Sequence, residues 1–221
     1  MQTMPTEITI PISVFEVIVR YSKPNFRLMT DRVGAVEEVF AAFAPWNPQL
    51  DDMELVTTGK LTEQGVQIKI SSQNASFFFG AAHCKFIKNA ALWAEADQIL
   101  AILSVGLEAL QRATGVDYAD RTSFLSLHLQ PKTVQFRDIL RRFIVPEILA
   151  LSNDQTTVMA IISKWPKYRI TLDGSAAFAN AIYVQMERQF EATTSFDDMK
   201  AAILQDELDL FKLLDIEEVE S

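Results

Sequence analysis

Two stretches of this chain follow the same order of predicted elements, and this repetition constrains the fold more than any motif does. Each stretch starts with a segment rich in β-branched and aromatic residues, as strands are, and continues with a helical segment. Three further strand-like segments and a long closing helix complete each stretch. This order predicts two β-α-β-β-β-α repeats, residues 1–117 and 118–214, followed by an acidic tail at 215–221.

The first strand of each repeat alternates between apolar and polar residues. In SVFEVIVRY (13–21), Phe15, Val17 and Val19 share one side; in SFLSLHLQ (123–130), Leu125, Leu127 and Leu129 share one side. Alternation of this kind is typical of an antiparallel sheet with one buried and one open face. The sequence therefore predicts an α+β fold in which a curved antiparallel sheet carries the long helices packed on one face.

Local signals place the other elements. Helices are predicted over 32–43, 92–114, 136–143 and 195–214; Gly115 suits the end of the second, and Ser195 with Asp198 resembles a capping box for the last. Residues 76–87 (SFFFGAAHCKFI) are interpreted as one strand with Phe78, Cys84 and Phe86 on the same side. The tail, DIEEVES, is expected to be solvated and frayed.

The repeated order of elements resembles the helix-grip and TATA-binding-protein-like architectures, in which a curved antiparallel sheet is backed by a long helix. The resemblance covers nearly the whole chain and concerns topology. It implies no single function, because such folds host carriers, cyclases, nucleic-acid binders and interaction modules.

Composition restricts the partners. The 20 basic and 29 acidic residues give a net charge of −9, which opposes binding to nucleic acid and to anionic membranes. We expect no membrane span, because the longest apolar stretch falls short of the roughly 20 residues that a bilayer requires. A single cysteine, Cys84, and an N-terminus without signal-peptide features lead us to expect a cytoplasmic protein.

Polar residues on the outward positions of the strands form the candidate binding surface. The alternative is that they are an ordinary solvated face. The predicted binding residues are Glu16, Arg20, Lys69, Lys85, Ser126, His128, Gln130, Arg169, Tyr183 and Gln185.

No residue pattern indicates catalysis, a metal or a cofactor. His83 and Cys84 are adjacent on a strand and so point to opposite faces, and Cys84 falls on the apolar side. No glycine-rich phosphate loop or nucleophile elbow is present.

The sequence therefore favours a non-catalytic module that binds a protein partner or a small apolar molecule on the open sheet face or in a groove between the repeats. A homodimer is left open. The alternative is a helix-grip-type enzyme or small-molecule carrier with a cavity between sheet and long helix. Its acid/base candidates are His128, Tyr183 and Glu187. Nucleic-acid binding would require Arg20, Lys69, Lys85 and Arg169 to gather on one face.

Overall fold

The protein is α+β, and its described residues form a large, mainly antiparallel sheet in which nine strands follow one path and a short tenth strand pairs in parallel with the first. This structure, a computed structural model, describes residues 5–30, 32–57, 60–91, 93–140, 161–165 and 168–219. The predicted class and the antiparallel sheet are confirmed, whereas the duplication and the curvature stay predictions. Among the described residues the α-helices are α1 (Arg27–Thr30), α2 (Arg32–Ala42), α3 (Ala96–Thr114), α4 (Phe136–Leu140) and α5 (Phe196–Leu214). The strands are β1 (Thr6–Tyr21), β2 (Met53–Val56), β3 (Gly65–Ile70), β4 (Ala75–Gly80), β5 (His83–Asn89), β6 (Tyr118–Pro131), β7 (Ile161–Trp165), β8 (Tyr168–Gly174), β9 (Ile182–Glu191) and β10 (Ile216–Glu218).

The chain divides into two compact units. The large unit comprises Val14–Phe124 and Gln189–Ala201, and the small unit comprises Met1–Ser13, Leu125–Arg188 and Ala202–Ser221. In the large unit the hydrogen-bonded strand order is β2-β3-β4-β5-β1-β6, and in the small unit it is β1-β6-β9-β8-β7. The long strands β1 and β6 each contribute residues to both units.

The core of the large unit lies between its strands and the helices α2 and α3. Phe15, Val17 and Val19 are fully buried, as their alternation predicts. Helix α3 approaches the sheet closely at Gly106, where a Cβ atom would lie 2.9 Å from the rings of both Phe43 and Phe77. A real Cβ atom does not tolerate that distance, so the absence of a side chain allows this contact between helix and sheet.

The predicted single strand over 76–87 is wrong, because the chain reverses at Ala81 and Ala82 and forms the hairpin β4–β5. The pairing of Phe79 with Cys84 puts those two residues on one face, and both are buried. A reversal through two residues changes the parity of the side chains between the two strands. Phe78 therefore lies on the face opposite Cys84 and Phe86, contrary to the sequence prediction.

The small unit buries the apolar face that the sequence predicts for β6. The three leucines of β6, Leu125, Leu127 and Leu129, are at most 2% exposed. Inward residues predicted for β8 (Ile170 and Leu172) and for β9 (Val184 and Met186) are also buried. Helix α5 contributes buried apolar side chains at helical spacing, namely Ile203, Leu210 and Leu214.

The ends of the long helices match their local signals. Gly115 ends α3 with a φ of 67°, and its amide donates to the carbonyl of Gln111 over 2.8 Å. The Ser195 hydroxyl accepts a hydrogen bond from the amide of Asp198 and donates to the carboxylate of the same residue over 2.7 Å. The predicted end of α3 and the predicted start of α5 are both confirmed.

The acidic tail is not frayed at its start. Ile216–Glu218 forms β10, which pairs in parallel with Thr6–Ile8 of β1. Ile216 is buried, and the amide of Val219 donates to the carbonyl of Ile8 over 3.0 Å. The expectation of a solvated terminus is wrong for these residues because burial of Ile216 and the backbone hydrogen bonds hold them on the sheet.

Candidate functional site

The predicted binding residues fall into two groups on open strand faces, which are the faces turned away from the helices. Four belong to the large unit: Glu16, Arg20, Lys69 and Lys85. The others, together with the acid/base candidate Glu187, belong to the small unit: Ser126, His128, Gln130, Arg169, Tyr183 and Gln185.

Each of the four cations named for nucleic-acid binding has an acidic partner. Their charged atoms lie 2.8–3.9 Å from carboxylate oxygens, in the pairs Arg20–Asp120, Lys69–Glu54, Lys85–Glu16 and Arg169–Glu187. Partly exposed ion pairs of this kind contribute little stability, but they neutralise the charge that a phosphate backbone would require. These residues therefore offer no basic surface.

Three predicted residues of β6 and β9, Ser126, Tyr183 and Gln185, form a hydrogen-bonded network, and a fourth, His128, packs against it. The oxygen atoms of Ser126 and Tyr183 lie 3.2 Å apart, and the Gln185 amide donates to Tyr183 over 3.1 Å. The His128 ring packs against Tyr183, with ring centroids 5.3 Å apart. Two residues of the β8–β9 connection complete what we call the His128 cluster, which comprises Ser126, His128, Ser175, Phe178, Tyr183 and Gln185.

Ser175 determines the proton positions on His128. Its Oγ lies 2.8 Å from Nδ1 of His128 and also accepts hydrogen bonds from the amides of Ala177 and Phe178. Because these amides occupy the two lone pairs of the oxygen, the hydroxyl proton is directed at Nδ1. Nδ1 is then an acceptor, and the neutral ring carries its proton on Nε2. Burial lowers the pKa of His128 below its ordinary value, which agrees with a neutral ring.

The three acid/base candidates do not form a relay. His128 and Tyr183 are in contact, but the Glu187 carboxylate binds the Arg169 guanidinium at 2.8 Å. The Ser175 hydroxyl is held by a local turn, and the histidine beside it has no carboxylate partner among the described residues. A serine nucleophile requires a base that a third group orients, and the described residues provide no such group for His128.

A depression of about 220 Å³ lies on the open face of β3, β4 and β5 in the large unit. We call it the Phe78 pocket, and its wall contains apolar, basic and acidic side chains. Its lining residues are Val56, Glu63, Gln67, Ser76, Phe78, His83, Lys85 and Ile87.

Two glycines allow Phe78 to lie flat at the base of this pocket. Gly65 and Gly80 are paired across β3 and β4, and a Cβ atom on Gly65 would lie 2.7 Å from carbon atoms of the Phe78 ring. The ring thus covers the two glycines, in the manner of an aromatic residue that shields glycine in a sheet. Phe78 is only 7% exposed although it lies on an open face.

Burial controls the charges around the Phe78 pocket. The pKa of His83 lies below its ordinary value because of burial, and the charges of Lys85 and Arg20 lower it further. The pKa of Glu16 is raised by burial, against the opposing effect of Lys85, whose ammonium lies 3.9 Å away. The pocket therefore presents a neutral imidazole beside an ammonium group whose ion pair is long.

Sequence reasoning missed this pocket because it interpreted β4 and β5 as one strand. That interpretation put Phe78 on the helix side and gave His83 no partner. The available signal was Gly80-Ala81-Ala82, three small residues between two strand-like segments, which is compatible with a tight hairpin.

Inside the large unit, Arg121 is a buried cation without a carboxylate partner among the described residues. Its guanidinium donates to the carbonyl of Thr194 over 2.9 Å and stacks on Phe196 at 4.8 Å. Cys84 is fully buried nearby, as expected, and burial raises the pKa of its thiol. The contacts of Arg121 anchor the start of α5. The burial of Cys84 and the raised pKa of its thiol argue against a role as a nucleophile.

Within the described ranges no three His, Cys, Asp or Glu side chains are grouped in a way that would hold a metal ion. The helices seen there include none that is long and apolar enough to cross a membrane. No protein-family model matches the chain, and no curated protein matches it.

Proposed function

We propose that this protein is a non-catalytic binding protein whose ligand, a small molecule, occupies the Phe78 pocket. The observation that supports this proposal is a depression on the open sheet face that combines an aromatic base with one ammonium group, one carboxylate and one neutral imidazole. Ligand sites combine apolar walls with directed polar groups, and here Val56, Phe78 and Ile87 supply the apolar part.

The opposite face of the same strands leaves no room for a ligand where α3 crosses them. Gly106 is in contact with Phe43 and Phe77, and the surrounding side chains are fully buried. A helix-grip carrier or enzyme would hold its ligand between sheet and helix. This packing therefore favours the open face over the alternative function.

The size of the pocket limits the ligand. A volume of about 220 Å³ is smaller than the roughly 300–1,000 Å³ of drug-sized sites. It suits one planar ring with a short substituent. The ring would lie on Phe78 and Ile87, and an acceptor group would take a hydrogen bond from the Lys85 ammonium.

A screen of single-ring fragments, both acidic and neutral, by protein-observed NMR tests this proposal. We expect the hits to perturb residues of β3–β5 and to bind Lys85→Met about 10-fold to 100-fold more weakly, because a charge-assisted hydrogen bond contributes about 1.5–3 kcal/mol. Ser76→Tyr should block binding by filling the pocket. Lys69→Met is the matched control, since Lys69 has a similar ion pair, lies on the same face and does not line the pocket.

The proposal fails if no fragment perturbs β3–β5. It also fails if the hits bind Lys85→Met and Ser76→Tyr as tightly as the wild-type protein.

A further inference from the structure

We propose a second ligand site in the large unit, for a small molecule that carries an anionic group beside a planar ring. The site is a pocket of about 480 Å³ formed by residues 22–27, which follow β1, and residues 114–117, which precede β6. It shares no lining residue with the Phe78 pocket, so the two proposals are independent.

Backbone hydrogen bonds hold both walls of this pocket in place. The amide of Ser22 donates to the carbonyl of Asp117 over 2.9 Å, which ties the two walls together. The amide of Asn25 donates to Ala81 over 2.7 Å, and the left-handed Gly115 continues the α3 hydrogen bonding. A pocket whose walls are anchored in this way is formed before any ligand binds.

Two cationic side chains of this pocket are available to bind a ligand. Lys23 and Arg27 both line it, and neither makes an ion pair with any described residue. By contrast, nine other basic residues of the described chain are ion-paired. Asp117 is the acidic residue of the lining, so the wall retains one excess positive charge. In a chain of net charge −9, such a local excess favours an anionic group.

An exposed aromatic ring borders the same pocket. Phe26 is 59% exposed, the only phenylalanine among the exposed large apolar residues that the structure describes. Its two chain neighbours on the lining, Asn25 and Arg27, are joined by a hydrogen bond from the Arg27 amide to the Asn25 side chain over 3.1 Å. This turn fixes the backbone that carries Phe26 and Arg27, and both residues line the pocket. A planar ligand ring would cover Phe26, and its anionic substituent would reach Arg27 and Lys23.

The volume agrees with this class of ligand. About 480 Å³ lies within the roughly 300–1,000 Å³ typical of small-molecule sites. A nucleoside monophosphate and an aryl phosphate both combine a ring with an anion and both fit such a volume.

Isothermal titration calorimetry with four probes tests the inference. Adenosine 5′-monophosphate and phenyl phosphate carry both features, whereas adenosine and inorganic phosphate each carry one. We expect at least one ring-bearing phosphate to bind at least 10-fold more tightly than its separate halves. Its affinity should fall as the salt concentration rises, because salt screens the contacts with Lys23 and Arg27.

Variants connect this binding to the pocket. Arg27→Gln and Phe26→Ala should each weaken the best probe by about 10-fold or more. The matched controls are Lys60→Gln, which removes a cation elsewhere, and Leu50→Ala, which removes an exposed apolar side chain elsewhere. These controls should leave the affinity unchanged.

The inference is overturned if neither ring-bearing phosphate binds with a Kd below about 1 mM. It is also overturned if phosphate alone binds as tightly as the ring-bearing probes, or if Arg27→Gln and Phe26→Ala bind like the wild-type protein. Circular dichroism spectra of the variants show that a loss of binding does not come from unfolding.

Discussion

Oγ of Ser175 lies 2.8 Å from Nδ1 of His128, although 47 positions separate the two residues in the chain, and we infer that the serine hydroxyl directs its proton at this nitrogen. The amides of Ala177 and Phe178 direct this proton by occupying the acceptor sites of the serine oxygen. The contact joins the β8–β9 connection to the open face of β6, where burial lowers the pKa of His128 below its ordinary value.

Replacing Ser175 with alanine should raise the pKa of His128. The substitution removes a hydrogen bond that exists only with the neutral ring, and it admits water to Nδ1. An NMR titration of the ring protons measures the change. Ser126→Ala, which removes a hydroxyl bonded to Tyr183, should leave the pKa nearly unchanged. An equal or lower pKa in Ser175→Ala would mean that the serine does not donate to the ring.

Acidification should destabilise the protein through both histidines. Burial lowers the folded-state pKa of His83 and of His128 below the ordinary value of 6.5, so the unfolded chain binds protons more readily. Their contribution to stability is complete above pH 6.5 and declines as the pH falls from there through the folded-state pKa values. Urea unfolding at several pH values should show a flatter dependence in the double variant His83→Gln/His128→Gln. An unchanged slope between pH 5 and about 7 would contradict this expectation.

Gly106→Ala should destabilise the protein by about 1–3 kcal/mol, because the added methyl group overlaps the rings of Phe43 and Phe77. In an exposed helix the same substitution would be stabilising by about 1 kcal/mol, so the sign of the effect is informative. Chemical denaturation measures it. The control Gln111→Ala, at an exposed position of the same helix, should change the free energy of unfolding by less than about 0.5 kcal/mol. A stabilised Gly106→Ala would show that α3 and the sheet leave a space at this point.

Cys84 should resist alkylation in the folded protein. The side chain is fully buried and burial raises the pKa of the thiol, so both access and thiolate formation are suppressed. Iodoacetamide labelling followed by mass spectrometry should give little modification without denaturant and complete modification in urea. Rapid labelling of the folded protein would show that β5 opens readily.

Arg121→Lys should cost about 1–3 kcal/mol of stability. Lysine retains the charge but cannot both stack flat on Phe196 and direct a planar donor at the Thr194 carbonyl. Urea unfolding measures the loss. Arg112→Lys is the control, because Arg112 pairs with Glu38 at the surface and exposed pairs contribute little. Equal stability of the two variants would contradict a structural role for Arg121.

Part of the candidate site could be predicted from local pattern. Alternation along β6 and β9 placed Ser126, His128, Tyr183 and Gln185 on one face, and the structure brings these residues together. The partner of His128 could not be predicted in this way. Ser175 belongs to a connection, where no periodicity specifies the direction of a side chain.

The sequence by itself determined the buried faces of β1 and β6, the end of α3 at Gly115 and the start of α5 at Ser195. These features depend on periodicity and on capping interactions between residues a few positions apart. Only the tertiary structure decided that β4 and β5 form a hairpin, that Phe78 covers two glycines and that α3 touches the sheet at Gly106. Strand register and close packing arise from contacts between distant segments, and a pattern along one segment cannot specify them.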